Sequence, residues 1–113
     1  MTPSQLKDNI INYLQEKKAV DLTVINVTDQ TTIADYFIIA TGKSNAQVKA
    51  LTEHLEEKME EKEVFAIRKE GVREARWVVL DYASVIVHIF NDEARDFYNL
   101  EKLWGNTSNI TKI

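Results

Sequence analysis

The sequence predicts a mixed α/β domain: a five-stranded sheet flanked by helices. Three observations lead there. Apolar residues recur at helical spacing in three stretches and alternate or run together in five others, in the order α-β-β-α-β-β-β-α. A helix between the second and third strands is the crossover that a parallel neighbour needs, while three consecutive strands at the end suit antiparallel pairing. The chain has only 3 Gly and 1 Pro in 113 residues, too few for a turn-rich β-sandwich.

Thr2 caps the first helix, with Pro3 in its first turn and Gln5 completing a Thr-x-x-Gln capping box. Leu6, Ile10, Tyr13, Leu14 and Lys17 line one face. Asp21 to Val27 alternates as the first strand, with Leu22, Val24 and Asn26 on one side, and Thr28 to Thr32 is turn-like. Tyr36 to Thr41 is apolar and β-branched, a more buried second strand that Gly42 ends. Ser44 opens the second helix, and Gln47 completes a second capping box. Val48, Leu51, Leu55 and Met59 form its buried stripe; Glu53, Glu56, Glu57, Glu60 and Glu61, with Lys49 and Lys58, form its solvated side. Val64 to Arg68, Trp77 to Leu80 and Val85 to Phe90 follow as strands, the last two joined by a turn at Tyr82 and Ala83. Asn91 or Asp92 caps a short third helix in which Ala94, Phe97 and Tyr98 share a face; Leu100, Leu103 and Trp104 extend it to Gly105. Residues 1–105 read as one domain and residues 106–113 as a polar, mobile tail.

Composition narrows the function. With 0 Cys there is no disulfide framework, thiolate zinc site, iron–sulfur cluster or cysteine nucleophile. The 14 basic and 18 acidic residues give a net charge of −4. That balance disfavours binding through nucleic-acid phosphates, DNA above all, and suits a basic partner. The start, Met1 to Asp8, has neither a basic region nor an apolar core of a signal peptide, and the longest apolar run, Tyr36 to Ala40, is too short to span a membrane. The expected setting is cytoplasmic, without membrane association.

Candidate chemistry is sparse. Ala40-Thr41-Gly42-Lys43-Ser44 looks like the end of a phosphate-binding loop, but Phe37 stands where that loop needs its first glycine. A capped strand-to-helix turn explains Gly42 and Ser44 without a ligand. Nucleotidyltransferases share such a turn and need convergent carboxylates, in an Asp-x-Asp pair after the helix, to hold magnesium. Here the helix is followed by Val64-Phe65-Ala66-Ile67. No metal or cofactor is expected. Of the two histidines, His54 falls among the glutamates of the second helix as a solvated residue with Glu57 or Lys58 as a surface partner. His88 lies inside a strand, bonded to a neighbour.

A symmetric turn at Tyr82 and Ala83 sets Asp81 opposite Ser84, Val79 opposite Ile86 and Trp77 opposite His88. Trp77, Val79, Asp81, Ile86 and His88 then share one sheet face, either a capped core edge or an exposed docking patch. Arg68, Lys69, Arg73 and Arg76 cluster around Glu70 to Glu74, a solvated loop first and an RNA contact second.

The strings Asp35-Tyr36-Phe37-Ile38-Ile39-Ala40-Thr41-Gly42-Lys43-Ser44, Glu70-Gly71, Ala75-Arg76-Trp77-Val78-Val79-Leu80-Asp81-Tyr82, Val87-His88-Ile89-Phe90 and Arg95-Asp96-Phe97-Tyr98-Asn99-Leu100-Glu101-Lys102-Leu103-Trp104 occur in one order. In these the chain resembles the Iojap-type ribosomal silencing factors, over roughly residues 3–105. The resemblance implies a nucleotidyltransferase-like α/β fold without the catalytic carboxylates and no enzymatic activity. It implies binding to ribosomal protein fourteen of the large subunit, on the face that meets the small subunit, and so a steric block to subunit joining that lowers translation when nutrients are short. The expected docking residues are Trp77, Asp81, Tyr82 and His88, with Glu70 and Arg73 nearby. Trp77 and Tyr82 would supply aromatic area, and Asp81 and Glu70 would pair with basic groups. Tyr98, Glu101 and Trp104 would hold the last helix on the sheet. Other readings are a nucleotide-binding enzyme using Gly42 to Ser44 and a stand-alone RNA-binding module. A homodimer is left open.

Overall fold

The structure, a computed structural model, describes residues 1–106 and 108–113. The expectation for the Phe97 side chain lies outside the described residues. The elements are α1 (Pro3–Glu16), β1 (Val20–Asn26), β2 (Tyr36–Gly42), α2 (Asn45–Glu61), β3 (Arg68–Glu70), β4 (Trp77–Asp81), β5 (Val85–Asn91), α3 (Asp92–Tyr98), α4 (Leu100–Trp104) and β6 (Ile110–Lys112). They form a mixed α/β fold around one sheet in the order β3-β4-β5-β2-β1-β6. β2 and β5 run parallel at its centre, and every other pair is antiparallel. The crossover from β2 therefore passes through α2, out to the β3 edge, and back through β4 before β5 lies beside β2.

The helix starts follow the sequence closely. Thr2 and Gln5 make both bonds of the first capping box. Ser44 Oγ accepts from the Gln47 amide, but Gln47 Oε1 accepts from Lys43 N at 2.7 Å, so the second cap closes one residue earlier than a capping box would. Gly42 is needed for packing: a Cβ there would lie 2.8 Å from the amide nitrogen of Val48, in the first turn of α2.

Four further expectations need correction. The pattern predicts five strands, and the sheet has six. The sixth comes from the segment read as a polar tail: Ile110–Lys112 covers the edge that β1 would otherwise leave open. Asn109 Nδ2 anchors it through the carbonyls of Asn26 and Trp104. The third strand is Arg68–Glu70, not Val64 to Arg68. Val64 and Ala66 pack inward while Phe65 and Ile67 are exposed, so the alternation there reports burial, and bonding to β4 starts only at the Ile67 amide, which donates to the Asp81 carbonyl at 2.8 Å. The last helix is broken at Asn99, which adopts the left-handed conformation at φ 42° and caps α4 with its side chain. Finally, the β4–β5 hairpin turns at Ala83 and Ser84, because Tyr82 N bonds Val85 O at 2.9 Å. Trp77 faces Phe90, Val79 faces His88 and Asp81 faces Ile86. The pairing moves by two residues, an even number, so Trp77, Val79, Asp81, Ile86 and His88 still point to one side.

The sheet separates two cores. On one face α1 and α2 bury Leu6, Ile10, Leu14, Leu51, Leu55 and Met59 against Leu22, Val24, Ile38, Ala40, Val78, Leu80, Val87 and Ile89. On the other, α3 and α4 cover only part of the sheet, over Ile25, Val27, Phe37, Ile39 and Phe90. The strip along β4 and β5 beyond α4 stays open.

Candidate functional site

That open strip holds a recess of about 300 Å³. Val79, Ile86 and His88 belong to the β4–β5 strip; Phe37, Leu100 and Trp104 enclose it from β2 and α4; Ile33, Arg68, Glu70 and Asp81 complete the lining. Its position follows from the fold. β5 is paired on both sides, so alternate residues of one strand must face the side that the short helices leave bare.

Trp77 stands beside the recess. Its ring stacks on Phe90 at 5.2 Å and lies 4.4 Å from Tyr98, while its indole N–H donates to His88 Nδ1 at 3.1 Å. Phe37 continues the aromatic row, meeting His88 and Trp104 edge-on at 5.4 and 5.2 Å. Because Nδ1 accepts, the proton of neutral His88 sits on Nε2. His88 is 8% exposed, and burial pushes its pKa down to about 4, so the ring is neutral at ordinary pH. Asp81 is half-buried, and one carboxylate oxygen accepts from Ala83 N at 2.8 Å, holding the hairpin turn. Glu70 is exposed on the edge strand, opposite Val79. Gly71 follows at φ 74°, where any Cβ would run into the Trp77 carbonyl oxygen, so the turn that sets Trp77 requires glycine.

The structure brings together Glu70, Trp77, Asp81 and His88 of the six expected residues. Arg73 is exposed on the neighbouring turn and does not line the recess. Tyr82 is a correction. It lies on the opposite face, 5% exposed in the α1/α2 core, and burial raises its phenol pKa, with Glu56 and Glu60 adding to the shift. As the residue after Asp81, its pleat points the other way. The basic cluster also divides: Arg68 lines the recess, while Lys69 pairs with Glu56 of α2 at 2.9 Å, which raises its pKa.

Other expectations resolve locally. His54 bonds Glu16 across the α1/α2 contact at 2.8 Å, not Glu57 or Lys58 on its own helix. The expected roles of Tyr98, Glu101 and Trp104 are met: Tyr98 on Trp77, Trp104 on Phe37, and Glu101 in an ion pair with Arg95 at 2.9 Å. Arg95 was not foreseen. Buried at 9% exposure, it also donates to Thr41 and Thr23 hydroxyls at 2.7 and 3.0 Å, tying α3 and α4 to β2 and β1. Its only sequence signal is that Thr23 and Thr41 interrupt apolar strands. Phe37 and Leu100 were missed as recess residues because their placement depends on strand order. Among the described residues, no three His, Asp or Glu converge to hold a metal ion, and no helix is long and apolar enough to cross a membrane.

The arrangement is a shallow aromatic and aliphatic hollow with a mixed charged rim, which suits binding of a polypeptide. The chain is similar to known proteins over nearly its whole length. Residues 1–113 match the family model described as ribosomal silencing factor during starvation. The chain is 36% identical over 110 residues to the ribosomal silencing factor of Halalkalibacterium halodurans, covering 97% of this chain and 94% of the relative. It is 29% identical to the mouse protein named mitochondrial assembly of ribosomal large subunit protein 1, covering 86% of this chain but 44% of that one. A crystal structure of a Chromobacterium violaceum protein superposes with a TM-score of 0.90 at 32% identity, over 96% of this chain and 92% of the other.

Proposed function

This chain belongs to the ribosomal silencing factor family, and from that membership we propose that it is a non-enzymatic anti-association factor of the large ribosomal subunit. It docks through the open β4–β5 strip onto ribosomal protein fourteen and sterically blocks joining of the small subunit. Translation in the cytoplasm falls accordingly when nutrients are short. The scaffold is read as nucleotidyltransferase-like, with the catalytic carboxylates missing.

The observation that carries the reading is the half-buried Trp77, fixed by His88, Phe90 and Tyr98 beside a recess that the short helices leave uncovered. A rigid aromatic at the edge of an apolar hollow is the usual centre of a binding hot spot. Glu70 and Asp81 give the rim acidic groups for a basic ribosomal protein, in keeping with a net charge of −4. The name of the mouse relative links that protein to the large subunit, which supports the choice of subunit.

The nucleotide-binding alternative has less to stand on. The backbone N–H of Lys43 and that of Gln47 at the start of α2 are taken by the chain's own side chains. Co-sedimentation with separated ribosomal subunits tests the proposal. Pelleting with the large subunit and not the small, together with inhibited reassociation of the two, is expected. Equal affinity for both subunits, or unimpeded reassociation at saturation, would contradict it.

A further inference from the structure

Behind the recess wall lies a side-chain polar atom left unsatisfied among the described residues. His88 Nε2 is buried without a hydrogen-bond partner among the described residues, while the other ring nitrogen is held by Trp77. Trp77 does not line the recess, whereas His88 does. Nε2 itself is closed to solvent, so an acceptor reaches it only when neighbouring side chains, Phe37 among them, shift on docking. Leaving a buried N–H unpaired is costly, and such groups normally find an acceptor. The Trp77 bond prevents escape into the other tautomer, because the indole N–H needs Nδ1 as its acceptor.

We propose that His88 is a specificity residue: its Nε2–H donates to a neutral carbonyl oxygen that the docked ribosomal protein inserts into the recess. The inference rests on the reading that this face is the docking face. The chemistry of the occupant follows from the lining. Val79, Ile86, Phe37, Leu100 and Trp104 favour an apolar body. Glu70 and Asp81 together outweigh the single Arg68 on the lining and disfavour a carboxylate acceptor, and a cationic head cannot accept. What remains is a loop segment that brings an uncharged carbonyl into the hollow beside an apolar side chain, with a basic neighbour able to reach Glu70 or Asp81. Docking then completes the hydrogen bonding of His88, and a partner lacking the carbonyl is rejected because the N–H stays unpaired.

Binding to purified large subunits is measured for His88→Phe and His88→Gln, with melting curves on the same samples. Phe keeps an aromatic ring and removes the donor. Gln offers an amide oxygen to Trp77 and an N–H to the recess. The expected result is about tenfold weaker binding for His88→Phe and near-normal binding for His88→Gln. A folded His88→Phe that binds like the unmodified protein overturns the inference. So does a folded His88→Gln that is as weak as His88→Phe. Should His88→Phe unfold, the unmodified, nitrogen-15-labelled chain decides. On addition of purified ribosomal protein fourteen, the His88 Nε2–H resonance must move downfield, and an unchanged resonance in a formed complex is fatal. Failure of the unmodified chain to bind the large subunit would instead sink the docking reading, and this inference with it. Loss of binding on Trp77→Ala with a neutral His88→Phe would keep that reading and remove only the carbonyl contact.

Discussion

The two faces of the sheet are built from alternate residues of the same strands, yet they are chemically unlike. Under α1 and α2 lie Leu, Ile, Val and Met side chains at or near zero exposure. Under α3 and α4 lie aromatics, a buried arginine with two threonines, and a buried histidine, and part of this side has no cover. The first arrangement, Tyr82 aside, needs apolar volume and shape. The second needs specific partners, and among the described residues it leaves one bond unmade, at His88 Nε2 behind the recess. The contrast teaches that one face is spent on stability, while the other holds polar geometry in place.

The sharpest test of the division is Met59→Asp in the aliphatic core, against Glu60→Ala one residue away on the exposed side. Met59 is fully buried, so an unpaired carboxylate there costs several kcal/mol, comparable with the whole stability of about 5–15 kcal/mol of a small domain. Glu60→Ala should stay within about 0.5 kcal/mol of the parent. Denaturant unfolding distinguishes them, and similar midpoints would show that α2 is wrongly phased.

On the second face, stability should depend on pH through His88. Its folded pKa of about 4 lies below the ordinary 6.5, so the unfolded chain binds more protons between those values. Stability from this group is therefore full above pH 6.5, falls as pH drops through the window, and changes no further below about 4. The total is about 3 kcal/mol. Subtracting the pH profile of His88→Gln should remove this component, and identical slopes for the two proteins would contradict the assignment.

Arg95→Met probes the attachment of α3 and α4. It leaves Glu101, Thr23 and Thr41 without the guanidinium, for a loss of about 2–3 kcal/mol. Hydrogen exchange should loosen α3 and α4 while the α1/α2 core keeps its protection. Uniform loosening of both faces would show that they are a single unit.

The smallest effect is expected at Ala83, which sits at φ 70° in the β4–β5 turn. Ala83→Gly should relieve left-handed strain and, after the entropy cost of glycine, gain up to about 1 kcal/mol. A lowered melting temperature would mean that the turn holds no such strain.

The same contrast explains what could be read from the sequence. The aliphatic face was legible because the stripe Val48, Leu51, Leu55, Met59 depends only on helical period, and the caps Thr2 and Ser44 only on local chemistry. The sharing of one face by Trp77, Asp81 and His88 survived a wrong turn because strand parity tolerates a shift of two. Tyr82 was misplaced by the opposite logic: beside Asp81 in sequence, it must point through the sheet to the other core. The recess itself was not legible. Phe37 and Trp104 reach it only once β2 lies parallel to β5 and the last helix breaks at Asn99, and β6 depends on which edge β1 leaves open. Those are properties of strand order, which local pattern does not encode.

The claim that the uncovered face is the docking face is tested most directly by the affinity of Trp77→Ala for purified large ribosomal subunits, alongside its melting curve. A central aromatic is worth at least about 2 kcal/mol, so binding should weaken roughly thirtyfold while the chain, its aliphatic core intact, still melts cooperatively. A folded Trp77→Ala that binds the large subunit with undiminished affinity would contradict the account.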